Sequence, residues 1–242
     1  MSSARDAVAP SGTLRCGVVV APAASAFFAI EQDGVPRGVT VDLFAALGQA
    51  LNAPVELVLF PNSGELTEAT ATGEIDVAFM PQDAERAKKV DFGPPYILIE
   101  STFLVPAGSR LTHLKDANFP GARAVAIAGT TTGRSARRFL TNGTVDDVRG
   151  VGDMVRMARA AEADLFALSR DSFATLLPDL PGACVLQGNF QEVGVAVAVP
   201  KGRPAALQAV SAFVEAAKQG GLVRSALDRA GFADCAVAPP AN

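Results

Sequence analysis

Residues 73–96 read GEIDVAFMPQDAERAKKVDFGPPY, and their order decides the fold. A turn glycine, Gly73, precedes a short apolar strand, Ile75–Met80. A loop carrying Arg86 follows, and then an extended segment in which Pro94 and Pro95 forbid helix. A lone arginine in a loop after a strand is open to two readings. It is a charge solvated among Glu85, Lys88 and Lys89, or a planar donor fork placed to grip an anion with two parallel hydrogen bonds.

Working outward, strand and helix signals alternate along the whole chain, which predicts an α/β protein with mainly parallel sheets. Leu14–Ala21 is an apolar run of strand length, and Phe27–Ala29 with the turn Asp33-Gly34-Val35-Pro36 predicts a small hairpin. Val41, Phe44, Leu47 and Leu51 have helical spacing, with Thr40 or Asp42 placed to cap. Pro54–Phe60 reads as a strand and Glu65–Thr72 as a helix. After the apolar run Ile97–Pro106, a second unit reads strand 122–128, helix 133–140, strand 144–148, helix 153–161, strand 164–168, helix 171–177 and short strand 185–186. A second apolar run, Val193–Pro200, mirrors the first. Helices Pro204–Gln219 and Gly221–Ala230 and a tail, Val237–Asn242, complete the chain.

Composition narrows the function. The chain has 242 residues, 49% apolar and 19% charged, as a well-filled globular protein requires. A net charge of −4, with no Lys or Arg run beyond two, argues against a nucleic-acid or anionic-membrane partner. No apolar run reaches the ~18 residues of a membrane span. The start, MSSARDAVAPSG, lacks an apolar signal core. It looks like a mature secreted protein behind an introduced start codon, residues 1–10 forming a disordered tail; a cytoplasmic protein with a loose N-terminus reads the same. Cys16 sits in a strand-like run as a small apolar residue, whereas Cys184 and Cys235 pair only if the fold and an oxidising compartment bring them together. His113 is the single histidine, and neither a metal site nor a cofactor is expected.

The segment 73–96, GVTVDLFAALGQALNAPVELV at 38–58 and AVAIAGTTTGRSARRFL at 124–140 together resemble the family 3 bacterial solute-binding proteins, in that family's order and spacing. The resemblance runs from Gly12 to about Phe232. It implies a two-lobed type II periplasmic-binding fold, each lobe a doubly wound, mostly parallel sheet. Residues 11–103 with 197–242 make one lobe and 104–196 the other, joined through the hinge runs Thr102–Pro106 and Gly194–Pro200. It further implies a periplasmic, monomeric component of an ABC importer, which delivers a small carboxylate-bearing solute to a membrane permease. An enzyme of the cyclohexadienyl-dehydratase type, with Asp83, Glu85 or Asp171 as acid, and a ligand-sensing module are the alternatives on the same fold.

Ligands of such sheets bind at the carboxyl ends of strands. From lobe one the expected positions are Ala24–Phe27, Asn62–Ser63 and Met80–Arg86, so Ser25, Phe27, Asn62, Met80 and Arg86 are candidates. From lobe two they are Gly129, Thr130, Thr131 and Ser169. By resemblance Arg86 clamps the carboxylate, Thr130 and Thr131 reach the same group, and Phe27 or its neighbours supply an aromatic platform. Helix capping by Thr131 or Thr132 explains the threonines equally well without a ligand. Ser169 stands where the family's amino-acid binders carry an acid for the ligand's ammonium. Either the ligand lacks a free α-amine, or the loop runs two residues differently and Asp171 takes the place.

Overall fold

The computed structural model describes residues 3–20, 25–233 and 235–241. In chain order its elements are α1 (Ala4–Val8), β1 (Leu14–Val19), β2 (Ile30–Gln32), β3 (Val35–Arg37), α2 (Val39–Leu51), β4 (Val55–Phe60), α3 (Ser63–Thr72), β5 (Val77–Pro81), α4 (Ala84–Ala87) and β6 (Val90–Val105). There follow β7 (Arg123–Ile127), α5 (Thr131–Phe139), β8 (Thr144–Val148), α6 (Val151–Arg159), β9 (Leu165–Ser169), α7 (Arg170–Leu176), β10 (Cys184–Val185), β11 (Gln191–Pro200), α8 (Pro204–Gln219) and α9 (Leu222–Arg229). The chain divides into two compact units, Met1–Val20, Ala26–Leu98 and Gly194–Asn242 in one, Ala21–Ser25 and Ile99–Val193 in the other.

In the first unit β4, β1 and β5 run parallel, and β11 joins antiparallel to β5, with Val195 opposite Pro81. The hairpin β2–β3 stands as a separate pair. In the second unit β8, β7 and β9 run parallel, β6 adds antiparallel through Ser101–Leu104, and β10 pairs with β6. Each unit is therefore a doubly wound, mostly parallel α/β sheet. The central strands read as continuous apolar runs because helices cover both faces, and β5 is buried along its whole length.

Apolar burial supplies the driving force in each unit separately. In the first, Phe79 packs against Phe44 and sets its edge to Tyr96. In the second, Phe103 packs with Phe139 and Phe190 on one side of the sheet, while Phe166, Phe173 and Met154 fill the other.

Several sequence expectations need correction. Residues 4–8, expected in a disordered tail, form α1. Ser3 and Asp6 complete a reciprocal cap, Val8 is fully buried, and Arg203 donates to the carbonyl of Ala7 at 2.6 Å. Gly38, at φ 149°, starts α2; a Cβ there would lie 2.4 Å from the Phe28 carbonyl. Thr40 instead donates to that carbonyl, and Asp42 pairs with Arg229. The C-terminal tail is pinned too, with Val237 bridging to Ile97 and Ala238 N–H donating to the Tyr96 carbonyl. Cys184 is an exposed free thiol, so no disulfide joins it to Cys235.

The chain passes between units at 98–99 and 193–194. The run Thr102–Pro106, expected as a hinge, instead begins inside the second unit, where Thr102–Val105 pair with β9 and β10. Gly194–Pro200 belongs to the first unit, paired with β5. Strand pairing extends each apolar run into its own sheet, and the passages fall five and three residues before the expected boundaries at 103–104 and 196–197.

Candidate functional site

In the first unit the candidate site lies at the carboxyl end of β5. The loop expected after this strand closes into the single turn α4, whose start is capped by Asp83 accepting from the Arg86 N–H at 2.8 Å. That turn swings the Arg86 side chain inward, where it is 3% exposed. Its Nη1 donates to the Pro81 carbonyl at 2.8 Å and its Nη2 to Ser63 Oγ at 2.6 Å. Burial pushes the guanidinium down to about 10, because removal from water penalises the charged form. A guanidinium held in one plane and stripped of water is prepared to grip a planar anion. Among the acids once open as alternatives, Asp83 caps this turn and Glu85 pairs with Lys88 on the surface.

Three other candidates of this unit have different work. Met80 is fully buried in the core, its sulfur accepting from Thr67. Asn62 caps α3, with Oδ1 accepting from the Glu65 N–H and Nδ2 donating to the Glu65 carboxylate. Phe27 stacks on Phe232 at 3.8 Å between ring centres, and its carbonyl accepts from the buried Tyr96 hydroxyl. A ring 3% exposed and stacked inside the unit is not an open platform. Ala24 lies outside the described residues.

In the second unit, Gly129 at φ 72° turns the chain from β7 into α5. Thr130 caps that helix: its hydroxyl donates to the Ile127 carbonyl at 2.8 Å and accepts from the Gly133 N–H at 3.0 Å. Both directions of the Thr130 hydroxyl are thereby used. Thr131 is buried at the first helical position, and Thr132 meets Ser101 at 3.1 Å. Capping thus falls to Thr130, neither of the two threonines expected for it.

Ser169 and Ser172 lie 2.9 Å apart at the start of α7. Between them Asp171 folds its carboxyl back onto the helix start, where Ser25, Ser169 and the backbone N–H groups of Asp171 and Ser172 serve it. Burial raises its pKa, and these hydrogen bonds oppose the shift without cancelling it. Ser25, expected with lobe one, thus groups with the second unit. Asp171 is the acid that a two-residue shift from Ser169 reaches. Among the described residues no three His, Cys, Asp or Glu side chains cluster as metal ligands.

The fold is the two-lobed type II periplasmic-binding architecture. The model of the bacterial extracellular solute-binding proteins, family 3, matches residues 17–230, and the chain belongs to that family. Among solved structures it is similar to the ancestral amino acid-binding protein AncCDT-1, a precursor of cyclohexadienyl dehydratase, at 25% identity and TM-score 0.78, covering 94% of this chain and 99% of that one. It also resembles the amino acid ABC transporter substrate-binding protein AbpA from Streptococcus pneumoniae Canada MDR_19A, bound to L-arginine (20% identity, TM-score 0.79, 96% and 99% covered). A third likeness is to a lysine-complexed putative ABC transporter binding component from Wolinella succinogenes DSM 1740 (23%, 0.78, 90% and 95%). No curated protein matches the chain. The chain is a solute-binding protein by family, and the neighbours are mostly binding proteins.

Proposed function

We propose that this protein is the periplasmic binding component of an ABC importer and takes a small carboxylate-bearing solute, an amino acid or a close analogue. The observation that carries this reading is Arg86, buried at the end of β5 with its guanidinium plane set by Pro81 and Ser63. Such a fork gives a carboxylate two charge-assisted bonds away from competing water. The amine of the solute falls to Asp171, whose hydroxyl and backbone partners hold the carboxyl in place. Of the two alternatives open at Ser169, this reading takes the one in which Asp171 meets the amine.

Binding by closure suits the two units, with bending where the chain passes at 98–99 and 193–194. The loaded protein then engages its membrane permease transiently, as a monomer. A thermal-shift panel of L-arginine, L-lysine and L-glutamine, each beside its 2-keto or deamino counterpart, tests the reading. A solute at a hundredfold excess over its Kd stabilises the fold by about 2.7 kcal/mol. No shift with any carboxylate in the panel or in a wider amino-acid set would remove the proposal.

A further inference from the structure

The Pro81–Gln82 peptide group has a bond at each end that serves a different part of the first unit. Its carbonyl accepts from Arg86 Nη1 at 2.8 Å, and its N–H donates to the Gly194 carbonyl at 2.9 Å. A peptide group is planar and stiff, so its two ends cannot move independently. Hydrogen bonds in series through one such group also polarise one another inside a protein. Gly194 is the first residue after the chain returns to the first unit.

Two further observations centre on the same place. The Gln82 side chain donates from Nε2 to the Gly93 carbonyl of β6 at 3.4 Å, so this residue holds both long strands that pass between units. Gly194 has no room for a side chain: a Cβ there would lie 2.8 Å from the Pro95 Cβ and 3.0 Å from Gln82 Oε1. The approach of β11 to Gln82 and Pro95 therefore depends on a glycine at this position.

We infer that Gln82 is a positioning residue that couples the Arg86 guanidinium to the chain passage at Gly194. Its functional meaning rests on the reading of Arg86 as the carboxylate clamp. A carboxylate that draws on the guanidinium competes with the Pro81 carbonyl for it. That tension passes through one peptide group to the strand that has to bend when the units close on a solute. Ser63, which also accepts from Arg86, lies on α3 and takes no part in this path.

The coupling is tested without any ligand, by amide hydrogen exchange on the full chain. Arg86→Met is expected to speed exchange of the Gln82 N–H and of residues 195–196 at least tenfold, while Ser63→Ala leaves both unchanged. Read in reverse, Gly194→Ala is expected to shift the side-chain NMR signals of Arg86, which also serves should Arg86→Met not fold. Unmoved Gln82 exchange in folded Arg86→Met, or unmoved Arg86 signals in Gly194→Ala, overturns the inference. A solute panel that fails while this coupling is present would instead overturn the carboxylate reading alone.

Discussion

Arg203, at the start of α8, places its Nη1 3.4 Å from Oδ1 of Asp76, a carboxylate with no solvent exposure 127 positions earlier. Arg15 grips the same carboxylate from β1 with Nε at 3.0 Å and Nη2 at 2.7 Å. One buried acid thus ties β1, the approach to β5, α8 and, through Arg203, the N-terminal turn α1. Removing Asp76 breaks both ion pairs at once and leaves two arginines, 30% and 23% exposed, that water reaches only in part.

Asp76→Ala is accordingly expected to lower stability by about 3–5 kcal/mol. Arg203→Met, which leaves Arg15 in place, is expected to cost less and to expose α1 to proteolysis near Ala7. Urea unfolding of both variants checks the order. Equal losses would show that Arg15 alone does not hold the carboxylate.

Much of the chain's architecture was legible because strand and helix periods are local. Thr144–Val148 and Pro204–Gln219 coincide with the elements read from their apolar spacing. What failed depends on distant partners or on single side-chain turns. Phe27 looked like a platform because Phe232, the ring that stacks on it, is 205 residues away. α1 looked like a loose tail because its anchor is Arg203. α4 spans four residues, too few to show a period, yet it turns Arg86 inward. Among three consecutive threonines the sequence cannot select Thr130 as the cap, since that depends on which residue keeps an extended backbone.

The Phe27 stack separates core from ligand contact. Phe27→Ala is expected to cost about 3–5 kcal/mol of stability. Phe27→Leu, which keeps most of the apolar volume, is expected to leave solute affinity within twofold. A large affinity loss in a stably folded Phe27→Leu variant would restore the ring to the binding surface.

Asp171 gives a pH dependence with a definite sign. Its folded-state pKa lies above the ordinary aspartate value of about 3.9, so between the two values the folded chain binds more protons than the unfolded one. Its contribution is fully present below the ordinary value and is lost as pH rises through the folded one. Asp171→Asn is therefore expected to raise the ligand-free Tm at pH 7, with the gain shrinking as pH falls through the folded-state value and gone below the ordinary one. Melting curves from pH 3 to 8 check this. A Tm loss at neutral pH would mean that the hydrogen bonds from Ser25 and Ser169 outweigh burial.

Arg86 carries the central claim, and titration calorimetry on its variants tests it most directly. The probe is whichever of L-arginine, L-lysine and L-glutamine binds the unaltered protein most tightly. Arg86→Lys keeps the charge but loses the planar fork, and a loss of at least tenfold is expected, about 1.4 kcal/mol. Arg86→Met leaves the solute carboxylate unpaired, a cost of about 2–5 kcal/mol. Binding should then fall below detection in a protein that still melts cooperatively. Affinity within twofold of the unaltered protein in folded Arg86→Met would contradict the account.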